Sequence, residues 1–185
     1  MRTFLPTLRP LISACALVVL SAVSAFASEA DDKAAAFSKL ANGVIEQTVA
    51  GSLNVAGIEK DVAAMEEIAV YFAGQYKAKH PTGAKLMDFM VAQKDGLAKM
   101  NLADIDANFE SEAINKAHGK EFGFDLTTEA NEHFGNPVDL FVHPATALIC
   151  AKLWEKDHQA DHLKRIQSEL QEVVEHCQHV MEKLK

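Results

Sequence analysis

Histidine is the residue type whose placement in this chain most invites chemistry. Seven of the eight histidines lie from His118 onward: His118, His133, His143, His158, His162, His176 and His179. Imidazole titrates near neutrality and is the commonest side-chain metal ligand. Where each ring can reach depends on the element that carries it. His176 and His179 are three residues apart, so on a helix they share one side and can share a ligand. Glu172 and His176 are four apart, as are Glu175 and His179, a spacing that also supports ordinary ion pairs on a helix surface.

The elements that would position these rings can be read from hydrophobic pattern. Between Ala145 and Trp154 only Thr146 and Lys152 are clearly polar. A helix apolar nearly all round is one that its neighbours surround, and Pro144 suits a first helical turn. This predicts a buried central helix over 144–157. Leu163, Ile166, Leu170, Val173, Cys177, Val180 and Leu184 then recur in steps of three and four, the seam of a second helix over 161–184. If the turn between them centres on about residue 159, residues at one level of the antiparallel pair sum to about 318. His143 then lies beside Glu175, His176 and His179. Three neutral imidazoles with a carboxylate suit Zn²⁺ or another borderline transition metal, and two could ligate a non-covalent haem. The candidate metal set is therefore His143, His176 and His179 with Glu175.

The same register argues against a disulfide between Cys150 and Cys177. Their levels differ by about nine residues, or roughly 13 Å at 1.5 Å per residue, and a disulfide needs Cα atoms within about 7 Å. Two free, buried thiols are expected. Cys177 on the seam reads as a core residue, not a nucleophile, because a buried thiol has no substrate access.

Upstream, amphipathic stripes predict helices over 33–50, 56–79 and 84–100, with Asn101 capping a shorter one that carries Leu102, Ile105 and Phe109. From His118 to His143 the pattern decays among Gly119, Gly123, Gly135 and Pro137, and a loop-rich segment is expected there, with at most a short helix over 128–133. Its aromatic residues Phe122, Phe124, Phe134 and Phe141, with His133, are candidates to line an apolar ligand pocket. The fold expected is all-α: an antiparallel bundle of about five or six helices ending in a hairpin.

At the N-terminus, Arg2 and Arg9 precede the apolar run LISACALVVLSAV and the small-x-small pattern Ala25-Phe26-Ala27. That is the layout of a cleaved export signal, so residues 1–27 are read as signal and 28–185 as one domain. Cleavage removes two of the 18 basic residues and none of the 26 acidic ones, and 16 against 26 leaves a charge of −10. Such a charge disfavours nucleic acid and anionic membrane surfaces as partners. No GxSxG, HExxH, phosphate-cradling loop or CxxCH is present, so those hydrolase signatures and a c-type haem are excluded. The expectation is an exported, non-enzymatic binding or interaction module for a small molecule or protein. The alternative is a metal-binding protein built on the histidine cluster.

Overall fold

A computed structural model describes residues 13–109, 111–123 and 129–185, and among these the chain is all-helical. Seven α-helices follow in order: α1 Ser13–Val49, α2 Val55–Lys79, α3 Ala84–Leu97, α4 Leu102–Asn108, α5 Ser111–Phe122, α6 Glu129–Asp157 and α7 Ala160–Leu184. Helices α1, α2, α6 and α7 close a four-helix ring, α6 packing most extensively on α7, while α3, α4 and α5 cover one flank of α2 and α6. Among the described residues no helix is long and apolar enough to cross a membrane.

Local chemistry sets the helix ends. Gly51, with φ of +65°, turns the chain after α1, a conformation glycine adopts without strain. The side chain of Asn54 accepts from the Gly57 amide to start α2, and that of Asn101 accepts from the Asp104 amide to start α4, as N-cap residues do. A 3-10 turn at Pro81–Gly83 joins α2 to α3. Gly83 is required there, because a Cβ would collide with the ring of Phe134.

The central helix departs from the sequence reading. It begins at Glu129, not near residue 144, and runs through both Pro137 and Pro144. Of the stretch over 118–143 expected to be loop-rich, 118–122 form the end of α5 and 129–143 the first half of α6, while 124–128 lie outside the described residues. A proline inside a helix frees the carbonyl four residues back and usually costs about 3 kcal/mol. Here the carbonyl freed by Pro137 is that of His133, and the buried Tyr76 hydroxyl donates to it from α2. Burial pushes the Tyr76 phenol up to about 12, so it remains a donor. Tertiary structure thus supplies the hydrogen bond that the sequence withholds.

The hairpin after α6 turns at His158, whose φ is +54°, and the Gln159 amide donates to the Asp157 carboxylate. The seam of α7 is buried at Ile166, Leu170, Val173, Cys177 and Val180. Cys150 and Cys177 are both free and buried, as the hairpin register requires. Burial raises the two thiols to about 11 and about 12, which keeps them protonated and inert. One acid is buried with the core: an oxygen of Glu66 has no hydrogen-bond partner, and burial lifts its carboxyl to about 7.

Candidate metal centre

Helices α6 and α7 bring three ligating side chains together. Among the described residues, Asp139, His143 and His176 each offer one donor atom, and the three lie within 4.8 Å of one another. Donors bound at about 2.0–2.1 Å to a tetrahedral Zn²⁺ sit roughly 3.4 Å apart, so a small closure would complete the set. Asp139 and His143 are four residues apart on α6, which puts them on one face. His176 comes from the facing helix, its Nε2 lying 3.5 Å from the Asp139 carboxylate.

Each imidazole is oriented by a second side chain. Nδ1 of His143 donates to Oε2 of Glu169 at 2.5 Å, and Nδ1 of His176 donates to Oδ1 of Asn136 at 2.6 Å. In both rings this leaves Nε2 as the nitrogen that can take a cation. Such outer hydrogen bonds fix tautomer and ring plane and raise ligand basicity. Glu169 is itself held: its other oxygen accepts from Arg165 Nε at 3.1 Å, and Arg165 also donates to Asp106 of α4 at 2.6 Å. A chain of charge-assisted bonds from Asp106 through Arg165 and Glu169 therefore ends on the His143 ring.

The two rings lie nearly parallel with centroids 5.2 Å apart, and they titrate in opposite directions. Burial disfavours charge on His143. The hydrogen bond to Glu169 and the nearby Asp139, Glu169 and Glu172 carboxylates outweigh it and hold His143 above the usual imidazole range. His176 is pushed down to about 4, by burial first and by the charge of His143 second. His176 is thus a neutral ligand at pH 7, and a divalent ion would replace the proton on His143. The group opens on a cavity of about 410 Å³ walled also by Asp106, Arg165 and Glu172.

Of the residues expected from sequence, His143 and His176 meet here. His179 and Glu175 are exposed and stand outside the group. His179 and Glu175 lie about 60° and 100° round the helix from His176, in the same sense, and that side of α7 faces solvent. Asp139 was not anticipated. Its signal, an acid four residues before a histidine, is present in the sequence but means nothing in a segment read as loop.

The candidate aromatic residues do not gather. Phe122 packs edge-on against Phe89, Phe134 packs on Tyr76 and His133 beside Gly83, and Phe141 is fully buried in the core. Phe124 lies outside the described residues. His133 instead pairs with His80 of the turn after α2, nitrogen to nitrogen at 3.1 Å. No protein-family model matches the chain, and no curated protein or solved structure is significantly similar to it.

Proposed function

We propose that this chain is an exported, non-enzymatic helical binding module whose ligand is a divalent transition-metal ion, Zn²⁺ first among them. The observation that carries the reading is the convergence of Asp139, His143 and His176 within 4.8 Å, with Nδ1 of each imidazole already committed to Glu169 or Asn136. Two imidazoles and one carboxylate suit Zn²⁺ and its neighbours and suit Ca²⁺ or Mg²⁺ poorly, since the latter prefer oxygen ligands throughout. Acidic neighbours favour cation entry. Export rests on the basic, apolar and small-residue order of the first 27 residues.

The test is calorimetric titration of the untagged mature protein with Zn²⁺, beside elemental analysis of protein purified from the exported fraction. One ion bound per chain at micromolar affinity or better is the expected result. Absence of saturable binding to wild type, with no metal in the purified sample, would discard the reading. Intact mass should place the mature N-terminus at Ser28; a retained Met1 would remove export from the proposal.

A further inference from the structure

Three protein ligands leave a tetrahedral ion with one position to fill. The pattern of the hairpin repeats in a way that names the filler. On α6 an acid precedes a histidine by four residues, Asp139 before His143. On α7 the same spacing recurs, Glu172 before His176. The helices run antiparallel, and residue numbers at one level share a sum. Asp139 and His176 come to 315, and so do His143 and Glu172. Each histidine of one helix is thus matched in level by the acid of the other, and the Asp139–His176 pair is already in contact at 3.5 Å. Three of these four side chains already converge.

We propose that Glu172 is the fourth ligand, completing an Asp139–His143–His176–Glu172 site of two imidazoles and two carboxylates. Glu172 lines the same cavity as the other three, and its charge acts on both imidazoles. Its carboxylate is at present turned one helical turn away, where Oε1 accepts from the Ser168 hydroxyl at 2.8 Å. The side chain is exposed, so swinging it inward disrupts no packing. The cavity's other acids are engaged, Glu169 with His143 and Arg165 and Asp106 with Arg165, which leaves Glu172 as the carboxylate available to the ion. Two carboxylates also neutralise a divalent ion, and a half-buried site favours a neutral complex. A site with all four positions filled by protein binds and releases metal; it does not offer the open position that Lewis-acid catalysis needs. The swing from Ser168 makes Glu172 the group through which the hydrated ion enters from solvent.

This inference rests on the metal reading above, and one experiment separates the two. Co²⁺ is titrated into wild type, E172Q, S168A and E175Q, and the visible d–d bands are recorded with the affinity. Wild type is expected to give intense tetrahedral bands at one equivalent. E172Q should weaken binding roughly 100-fold or more, because outer hydrogen-bond partners alone typically carry 10–100-fold, and its bands should shift as water replaces a carboxylate. S168A should keep the bands and bind at least as tightly, and E175Q should match wild type. If wild type binds Co²⁺ and E172Q shows the same bands and affinity, the fourth-ligand assignment is overturned while Asp139, His143 and His176 stand. If wild type binds no Co²⁺, the metal reading itself fails.

Discussion

Two pairs of histidines bridge helices in this molecule, and they keep opposite company. His143 and His176 face each other across α6 and α7 among the carboxylates of Asp139, Glu169 and Glu172. His80 and His133 meet edge-on where the end of α2 approaches α6, their ring centroids 4.3 Å apart, with the charges of Lys79 and Lys183 nearby. Burial lowers the affinity of both latter rings for a proton. At His80 a hydrogen bond to the Lys183 backbone partly opposes it while the charges of Lys79 and Lys183 add to it, and at His133 the charges of His80 and Lys183 add to it. In the first pair one ring is lowered and one is raised, because carboxylates outweigh burial at His143. What separates the proposed metal site from the other pair is therefore not the proximity of its imidazoles but the carboxylates around them, which favour a cation.

The largest effect that tests this contrast is ligand removal. His143→Ala and His176→Ala are each expected to lower Zn²⁺ affinity by about 1,000-fold, since loss of a direct ligand exceeds the 10–100-fold carried by outer partners. His80→Ala and His133→Ala should leave it unchanged. Competition titration with a chromophoric chelator reads all four, and equal losses in the two pairs would erase the distinction drawn between them.

Next in size is Glu169→Gln. The amide keeps the shape but removes the charge that holds the His143 ring and pairs with Arg165. A 10- to 100-fold drop in affinity is expected, about 1.4–2.7 kcal/mol. A proton-linkage measurement sharpens it: with Glu169 gone, His143 should titrate lower, so Zn²⁺ binding near neutral pH should release less than the wild-type number of protons. Unchanged affinity and unchanged proton release would mean that Glu169 only packs.

One side of this contrast, the meeting of His143 and His176, was legible in the sequence, and what was missed around it has a definite cause. The apolar central helix and the seam of α7 could be read because burial imposes a 3.6-residue period on whichever residues it selects. From them came the hairpin, the proximity of His143 to His176, and the two free cysteines. The register was displaced: the contacts His143–Glu169 and His176–Asn136 sum to 312 and His176–Asp139 to 315, against an expected 318. That offset of three to six residues is why Glu175 and His179 stood as candidates in place of Glu169. Asp139 and Asn136 were hidden for another reason. Pro137 and Pro144 are breakers by local rules, yet α6 passes through both, and the hydroxyl that satisfies the His133 carbonyl comes from Tyr76, 57 positions away. Local propensity cannot report a hydrogen bond supplied from that distance.

Acid stability gives a third and smaller contrast. A histidine whose folded pKa is lowered leaves the folded state with fewer protons than the unfolded one near pH 6.5, so stability falls as pH drops from there through the folded pKa. His80 and His133 both act in this sense. So does His176, which should contribute from pH 6.5 down to about 4. His143 acts in the opposite sense: its contribution is present below pH 6.5 and lost as pH rises through its raised folded value. For metal-free protein, replacing both His80 and His133 by Asn should therefore flatten the loss of stability between pH 7.5 and 5.5. Urea midpoints at the two pH values measure it, and an unaltered slope would show that the pair carries no titration linkage.

The smallest effect asks whether charge alone separates the pairs. Lys183 lies near the C-terminus of α7, is exposed, and presses on both His80 and His133 through its charge. Lys183→Glu replaces repulsion of an imidazolium with attraction and should not disturb the core. Exposed charge pairs are worth about 0.2–1 kcal/mol, so each histidine should titrate upward by roughly half a pH unit. The shift should shrink as salt rises, since an exposed interaction beyond about 8–10 Å is screened at physiological ionic strength. Following the imidazole resonances by NMR at low and high salt in wild type and variant resolves both features. An upward, salt-sensitive movement at His80 and His133 with His143 and His176 unmoved would show that neighbouring charge tunes each pair independently. No movement would leave burial, with Lys79 and the mutual charge of the two rings, as the cause of the low proton affinity of His80 and His133, and the contrast would then rest on the carboxylates around His143.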